Sequence, residues 1–561
     1  MTDAYPPLKS TLSSPASVFP TLKPAHIERL AAQGRIRQIQ PGEVLVEAGE
    51  KDAPLFVIKT GQVEVVQPSG VTEKAVALFL PGQFTGEISI LSGRRILVRV
   101  RAKEAGEVIE IDREHLLELV QNDSELSEIF MRAFILRRVE LIALELGDVL
   151  VLGSDHSPDT LRIKEFLGRN GHPYSYIDLD REVGVQDLLD NFHVAVSDVP
   201  VMICRGDVVL RNPANEQIAE CLGFNEAIDQ TRLRDVVIVG AGPAGLAAAV
   251  YAASEGLDVL VLETNAPGGQ AGSSSKIENY LGFPAGISGL ELATRAYAQA
   301  QKFGAQVLIA KGAKALKCAR KPYAIEIDHG SPVQARSVIV AAGAQYRKLP
   351  LENLPQFEGS GVYYAATFVE SQVCGGEEVI VVGGGNSAGQ AAVFLAQNAK
   401  RVRLIFRSDG LADSMSRYLI RRIEDAPNIE LRPRTEITAL EGGGHLEHVQ
   451  WRDYKKDSFE THDIRHVFVM TGAIPNTKWL DGCVALDADG FIKTGPDLSK
   501  DDLTAARWPL LRSPHLLETS LPGVFAVGDV RSGNLKRVAS AVGEGAIAIN
   551  LVHRVLADPS G

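Results

Sequence analysis

The chain has 561 residues, 45% of them apolar and 23% charged, and a net charge of −12. That length predicts roughly three or four domains, the composition predicts a soluble globular protein, and the acidic balance disfavours nonspecific binding to nucleic acid or an acidic membrane. Five cysteines, Cys204, Cys221, Cys318, Cys374 and Cys483, are scattered without C-x-x-C or zinc spacing, which predicts a reducing cytoplasm, no disulfide framework and no metal site.

Residues 1 to about 17 are rich in Pro, Ser and Thr and are expected to be mobile. Met1 to Pro24 lacks a basic-then-apolar pattern, so no secretory leader is expected. From Val18 to about Phe134 the signals are short strands and glycine turns, as in Pro41–Val46, Leu55–Ile58, Gly61–Val66 and Pro81-Gly82. A charged helical run, Arg113 to Arg138, closes this stretch. The order PGEVLVEAGE, LFVIKTGQVEV, GQFTGEISILSGRR resembles the cyclic nucleotide-binding domain of catabolite-activator-type regulators and regulated kinases. The resemblance implies a β-roll over 18–143 in which Gly86 and Glu87 cap a short helix and hold a ribose, and Arg95, or else Arg94, neutralises a cyclic phosphate. Helix amides with a bidentate guanidinium suit such a phosphate. Ile96 stands where the family has a small hydroxyl residue, which leaves open a domain that keeps the fold and binds no nucleotide or another ligand.

Residues 147–229 read as a small α/β domain: strands at Val149–Leu152, Tyr174–Ile177 and Val199–Ile203, with a helix over Asp159–Asn170. The pattern resembles a glutaredoxin or thioredoxin domain with Pro200 at the cis-proline position. Its redox positions read Ser157-Pro158-Asp159-Thr160, and a hydroxyl cannot form a mixed disulfide. Packing or docking is the expected role, and a glutathione-transferase-like serine is the alternative.

The stretch Asp235 to Leu246 is a β-branched strand ending in Gly-x-Gly-x-x-Gly, then an Ala-rich helix. Gly240 permits the turn, Gly242 (with Pro243 and Ala244 after it) lets amides approach a pyrophosphate, and Gly245 lets helix pack on strand. The next strand ends in Glu263, suited to a ribose 2′-hydroxyl. Val236 to Ala253 carries no charge over 18 residues, but three central glycines and a proline exclude a membrane span. Further on come a Gly-rich loop with Gly268, Gly269, Gln270 and Asn279, a strand ending in Ala342-Gly343, and a second turn, Gly383-Gly384-Gly385-Asn386-Ser387-Ala388. HVFVMTGAIPNT and LPGVFAVGDV, the latter holding Gly528 and Asp529, follow, and Arg537-Val538-Ala539 opens the last helix.

In this order, Leu233 to Leu556 resembles low-molecular-weight thioredoxin reductase. The resemblance implies two Rossmann-like folds, an FAD domain over 233–350 and 473–561 with an NAD(P)H domain over 351–472 inserted in it. Asp529 would meet the ribityl chain, the last helix would lie beneath the isoalloxazine, and the assembly would be a homodimer. Where the family has Tyr-Cys-Ala-Thr-Cys-Asp, this chain has Tyr364-Ala365-Ala366-Thr367-Phe368-Val369. Cys374 nearby reads as a single-thiol acceptor or a small buried hydrophobe. The second strand of the inserted fold ends in Arg407 instead of an acid, which favours NADPH over NADH, with Arg407 as a solvated charge the alternative. The expected function is NAD(P)H oxidation through FAD to a small-molecule or protein acceptor, with no residue assigned a catalytic role. A ferredoxin- or flavodoxin-NADP reductase and a flavin-based sensor remain open.

Overall fold

The computed structural model describes residues 15–69, 72–143, 148–180, 195, 198–204, 208–229, 231–328 and 330–558. The mobile N-terminus expected from composition falls on residues 1–14, outside these, and its end is a helical turn, Pro15–Val18. The boundary expected between 143 and 147 also lies outside the described residues. Contacts divide the chain into two compact units, one of residues 1–152, 170–228 and 298–310, the other of 153–169, 229–297 and 311–561.

The first unit opens with a five-stranded antiparallel sheet. Arg99–Ile111 lies between Arg35–Ile39 and Leu55–Ser69, Thr72–Phe79 flanks Leu55–Ser69, and Val44–Val46 also pairs with Arg99–Ile111. Phe56, Ile58, Val63, Val100 and Val108 fill one side, while Phe84, Phe130 and Phe134 meet on the other. Two sequence readings are corrected here. Leu55–Ile58 and Gly61–Val66 are one strand, because Gly61 (φ +79°) is absorbed as a bulge. The backbones are so close there that a Cβ at the facing Gly106 would sit 2.0 Å from Thr60 O. The charged run Arg113 to Arg138 is two helices, Arg113–Asn122 and Ser124–Ala143. Asp123 breaks it, its carboxylate accepting the Leu126 N–H at 3.1 Å.

The same unit holds a four-stranded sheet in the order Ser175–Asp178, Val149–Gly153, Val201–Cys204, Val208–Arg211. Its last three strands pair antiparallel, and the Val199–Pro200 peptide before the third is cis.

In the second unit Arg234–Val239 pairs parallel with Val259–Glu263 on one side and Val333–Val340 on the other, and Val524–Ala526 extends the parallel face. An antiparallel arm, Tyr323–Ile327 and Ala313–Lys317, continues from Val333–Val340. Between Val340 and Val524 runs a second parallel sheet, Val362–Tyr363, His466–Val469, Glu378–Val382, Arg401–Ile405, Ile429–Arg432. A three-stranded meander, Thr435–Glu441 to Ser458–His462, is attached to it. The chain enters and leaves this insertion through a two-stranded ribbon, Ala344–Gln345 against Ile474–Pro475. The strands are near-continuous Val/Ile/Leu runs buried along their length, as sheets covered on both faces require.

The cysteine expectation is overturned at one pair. Cys318 and Cys483 form a disulfide across 165 residues. Cys318 follows the arm strand Ala313–Lys317, and Cys483 follows the short helix Lys478–Leu480 that packs on it. No sequence spacing announces such a pair, because tertiary packing alone brings the two together.

Candidate functional site

The first Gly-rich turn is built from backbone packed on backbone. Gly240 has φ +105°, and a Cβ there would lie 2.3 Å from Ala341 O. A Cβ on Gly245 would lie 1.8 Å from Gly240 O. Gly242 caps the helix Pro243–Ser254, and Gly269, itself at φ +53°, lies so close that its Cβ would be 3.0 Å from Gly242 Cα. The open amides at the start of that helix carry its positive dipole end. At the edge stands Glu263, buried, its Oε2 accepting the Ala241 N–H at 2.8 Å and its Oε1 the Asn265 N–H at 2.9 Å. Burial pushes this carboxyl up, against those two bonds and the charge of Arg169.

The remaining predicted residues gather around this turn from distant sequence. Gln270 donates to Ala344 O at 2.6 Å. Ala342 O and Gly343 O accept from the Asn476 side chain and amide at 2.8 and 3.1 Å. Gly528 (φ +73°) faces Ala244, where a Cβ would come within 3.0 Å, and donates its N–H to Glu544 at 2.7 Å. Asp529 follows, its carboxyl pushed up by burial and by Glu544, with Lys536 pulling the other way. Arg537 caps the helix Val538–Ala557, whose first turn is Val538 and Ala539. That helix packs on Pro243–Ser254 with Gly545 against Ala244 O. Asn279 and Arg537 are exposed. Turns with no room for side chains, free helix amides and a carboxylate at the end of the adjacent strand fit an ADP-bearing cofactor such as FAD.

The second turn sits in the insertion. Gly383 (φ +144°) packs on Met470 O, Gly385 caps the helix Asn386–Leu395, and Ala388 is buried behind it. Asn386 Oδ1 accepts the Ser416 N–H at 2.8 Å and Ser414 Oγ donates to Gly384 O at 2.8 Å, so segment 414–416 closes over the turn. Phe406 and Ser408 flank exposed Arg407, and both lie within 3.8 Å of a Cβ built on Gly384. Burial pushes the Tyr346 phenol up, with Ser387 pulling the other way, a pairing that no sequence spacing signals.

In the β-roll, Gly86 (φ +95°) gives its carbonyl to Arg137 at 2.7 Å. Glu87 is buried, with Oε2 accepting the Ser89 N–H at 3.1 Å at the start of helix Ser89–Ser92. Its Oε1 has no hydrogen-bond partner, the Arg138 guanidinium standing 3.7 Å away. An orphaned buried carboxylate oxygen fits a ribose hydroxyl. Arg95 donates to Gly49 O at 3.1 Å and lies beside Gly223, while Ile96 joins the apolar cluster of the roll.

The sequence profile of the pyridine nucleotide-disulphide oxidoreductases matches residues 234–545, and that of the cyclic nucleotide-binding domain matches 36–123. The chain belongs to the pyridine nucleotide-disulphide oxidoreductase family. It is 30% identical over 334 residues to thioredoxin reductase of Bacillus subtilis, covering 58% of this chain and 96% of that one. It is 31% identical to the enzyme of Mycoplasmopsis pulmonis, over 57% of this chain and 97% of that one. Among solved structures, thioredoxin reductase of T. acidophilum superposes with TM-score 0.52 at 30% identity, over 58% of this chain and all of that one. That of Lactococcus lactis superposes with 0.51 at 26% identity, over 58% and 99%. The protein is an FAD-dependent oxidoreductase with an N-terminal cyclic nucleotide-binding domain. Among the described residues no helix is long and apolar enough to cross a membrane, and no group of side chains has metal-ligand geometry.

In this oxidoreductase Thr367 caps a helix, Phe368–Val373, that begins where the resemblance places a dithiol. Glu370, passed over in the sequence, closes the cap by accepting the Thr367 N–H at 2.8 Å, and burial pushes its carboxyl up. Cys374 ends the helix, buried against Tyr363, Val379 and Phe468. Its surroundings match the small buried hydrophobe and not the single-thiol acceptor, since burial pushes the thiol up to about 12. At pH 8 roughly one such thiol in ten thousand is ionised. Alkylation of the native protein should therefore leave Cys374 unlabelled while half-buried Cys221 reacts, with peptide mass mapping as the readout. Labelling of both at equal rates would contradict this packing.

Proposed function

We propose that this oxidoreductase takes hydride from NADPH and delivers electrons to an external acceptor, such as a quinone, oxygen or a protein cofactor, without a dithiol. FAD, when bound, supplies the hydride and electron chemistry. The chain's residues bind, orient and shield it. The observation that carries the reading is the pairing of a complete dinucleotide cradle with Ala365 and Phe368 at the dithiol positions. A thiolate route needs an attacking and a resolving thiol, and Cys374 offers neither. The Cys318–Cys483 pair terminates the antiparallel arm, two strands across from Val333–Val340. NADPH consumption should be sustained by a quinone and remain at background with thioredoxin and a disulfide reporter. The double variant Cys318→Ser, Cys483→Ser should behave as the wild type in both assays. Efficient thioredoxin reduction that this variant abolishes would overturn the reading.

Arg407 supports the choice of NADPH, since its neighbours Phe406 and Ser408 both border the Gly384 turn. Loss of a charge-assisted phosphate contact costs about 1.5–3 kcal/mol, roughly one to two decades in affinity. Rapid-mixing reduction should favour NADPH over NADH by that factor in the wild type and lose the preference in Arg407→Ala. Equal efficiencies in the wild type would refute the assignment.

The N-terminal domain is proposed to gate the enzyme through a cyclic nucleotide, with the unpartnered Glu87 Oε1 as the supporting feature. Arg138, which faces Glu87, donates to Gly171 O at 2.9 Å, and Arg94 reaches Asn170 O at 3.5 Å. These two carbonyls follow Arg169 directly in the chain. Calorimetry with cyclic AMP and cyclic GMP should show heat that Glu87→Gln diminishes. Binding without any change in the rate of flavin reduction would leave a binding domain and remove the gate. The strand order of the small sheet, Ser175–Asp178, Val149–Gly153, Val201–Cys204, Val208–Arg211, supports a thioredoxin-like reading of the intervening domain, in which Ser157 and Thr160 leave it a packing role.

A further inference from the structure

The helix Pro158–Arg169 lies outside the stretch that the oxidoreductase profile matches, which begins at residue 234. It nevertheless packs within the nucleotide-binding unit. Leu161 meets the apolar core of the inserted fold, and Pro158 lies against Gly359, where a Cβ would come within 2.7 Å. The last residue of the helix is Arg169. Its side chain is 16% exposed. One terminal nitrogen reaches Gly269 O at 2.8 Å, the other lies 3.4 Å from Glu165 one turn back, and Nε is buried with no partner.

Gly269 is the residue that packs on Gly242 of the first Gly-rich turn, and Gly268 donates to Ala241 O at 2.7 Å. The guanidinium therefore grips the loop that walls the cradle at Gly242. The same charge pulls down on the Glu263 carboxyl, countering its burial. A cation at this place does two things. It fixes the 268–272 loop by a charge-assisted bond to its carbonyl. It also places positive charge beside the wall of the cradle, where an anionic group is favoured.

We infer that Arg169, supplied from outside the family's own domain, is a positioning residue for FAD, holding the Gly268–Gly272 loop in the conformation that receives the ADP half of the cofactor. This rests on the FAD reading of the cradle. It gives the helix Pro158–Arg169 a function that its lost redox positions do not.

The test uses the full chain, stripped of flavin and titrated with FAD while flavin fluorescence is followed. Arg169→Met keeps the aliphatic stem and its packing but removes the charge and the donors, whereas Arg169→Lys keeps the charge. The expected result is a Kd for FAD at least tenfold weaker in Arg169→Met and partly restored in Arg169→Lys. Melting temperatures of the flavin-free proteins should be alike. An unchanged Kd in Arg169→Met overturns the role. So does a weakened Kd that tracks a lowered melting temperature of the flavin-free protein and that lysine fails to restore, because that is the signature of packing alone. A wild-type chain that takes up no FAD instead overturns the flavoprotein reading, so the two failures are told apart.

Discussion

Everything in the nucleotide-binding unit hangs on backbone meeting backbone around Ala244. Gly245 brings the helix Pro243–Ser254 onto the carbonyl of Gly240, Gly545 brings the last helix onto the carbonyl of Ala244, and Gly528 brings the strand end bearing Asp529 against the Ala244 methyl. Three segments separated by nearly 300 residues of chain thus converge on a single turn of helix. Interiors this dense cannot be relaxed to admit a methyl group without moving elements whole. The cradle is accordingly a rigid object, and its helix amides point where they do because no alternative packing is available.

That rigidity is why so much of this region is legible in sequence. Glycine at 240, 242 and 245 answers a local steric demand, and local demands leave local signatures. Glu263 is readable for the same reason, as the end of the next strand. The features that escape the sequence are those in which one partner is far away. Arg169 reads as an ordinary basic residue in the last turn of a helix, and only tertiary packing shows that its nitrogen meets Gly269. Cys318 and Cys483 have no spacing to betray them. Glu370 looks like a solvated acid, yet it is buried as a helix cap. In the β-roll, Gly61 reads as a turn because positive φ usually ends a strand. The partner strand supplies its own glycine, Gly106, and the ladder runs on through a bulge.

The β-roll places charge where burial is most costly. Arg137 and Arg138 leave the same helix, Arg137 lying over the Phe84 ring at 4.7 Å and donating to the carbonyls of Val18 and Gly86, Arg138 donating to Gly171 O. Burial pushes both guanidinium groups down, and Glu87 opposes this in each case. A single carboxylate thus serves two buried cations and a helix start at once. Groups so arranged resist independent change, because removing one leaves the others uncompensated. A residue that binds ligand in such a cluster alters the balance of the whole cluster.

The bond between Cys318 and Cys483 closes the chain into a ring, and the whole inserted fold lies on that ring. Tension applied to the two ends of the molecule is carried from the strand Ala313–Lys317 to the turn after Lys478–Leu480 through sulfur. The insertion hangs as a pendant loop off the load path. A protease that cuts any peptide bond between the two cysteines leaves both pieces in one covalent body, and the cut is revealed when the sulfurs are reduced.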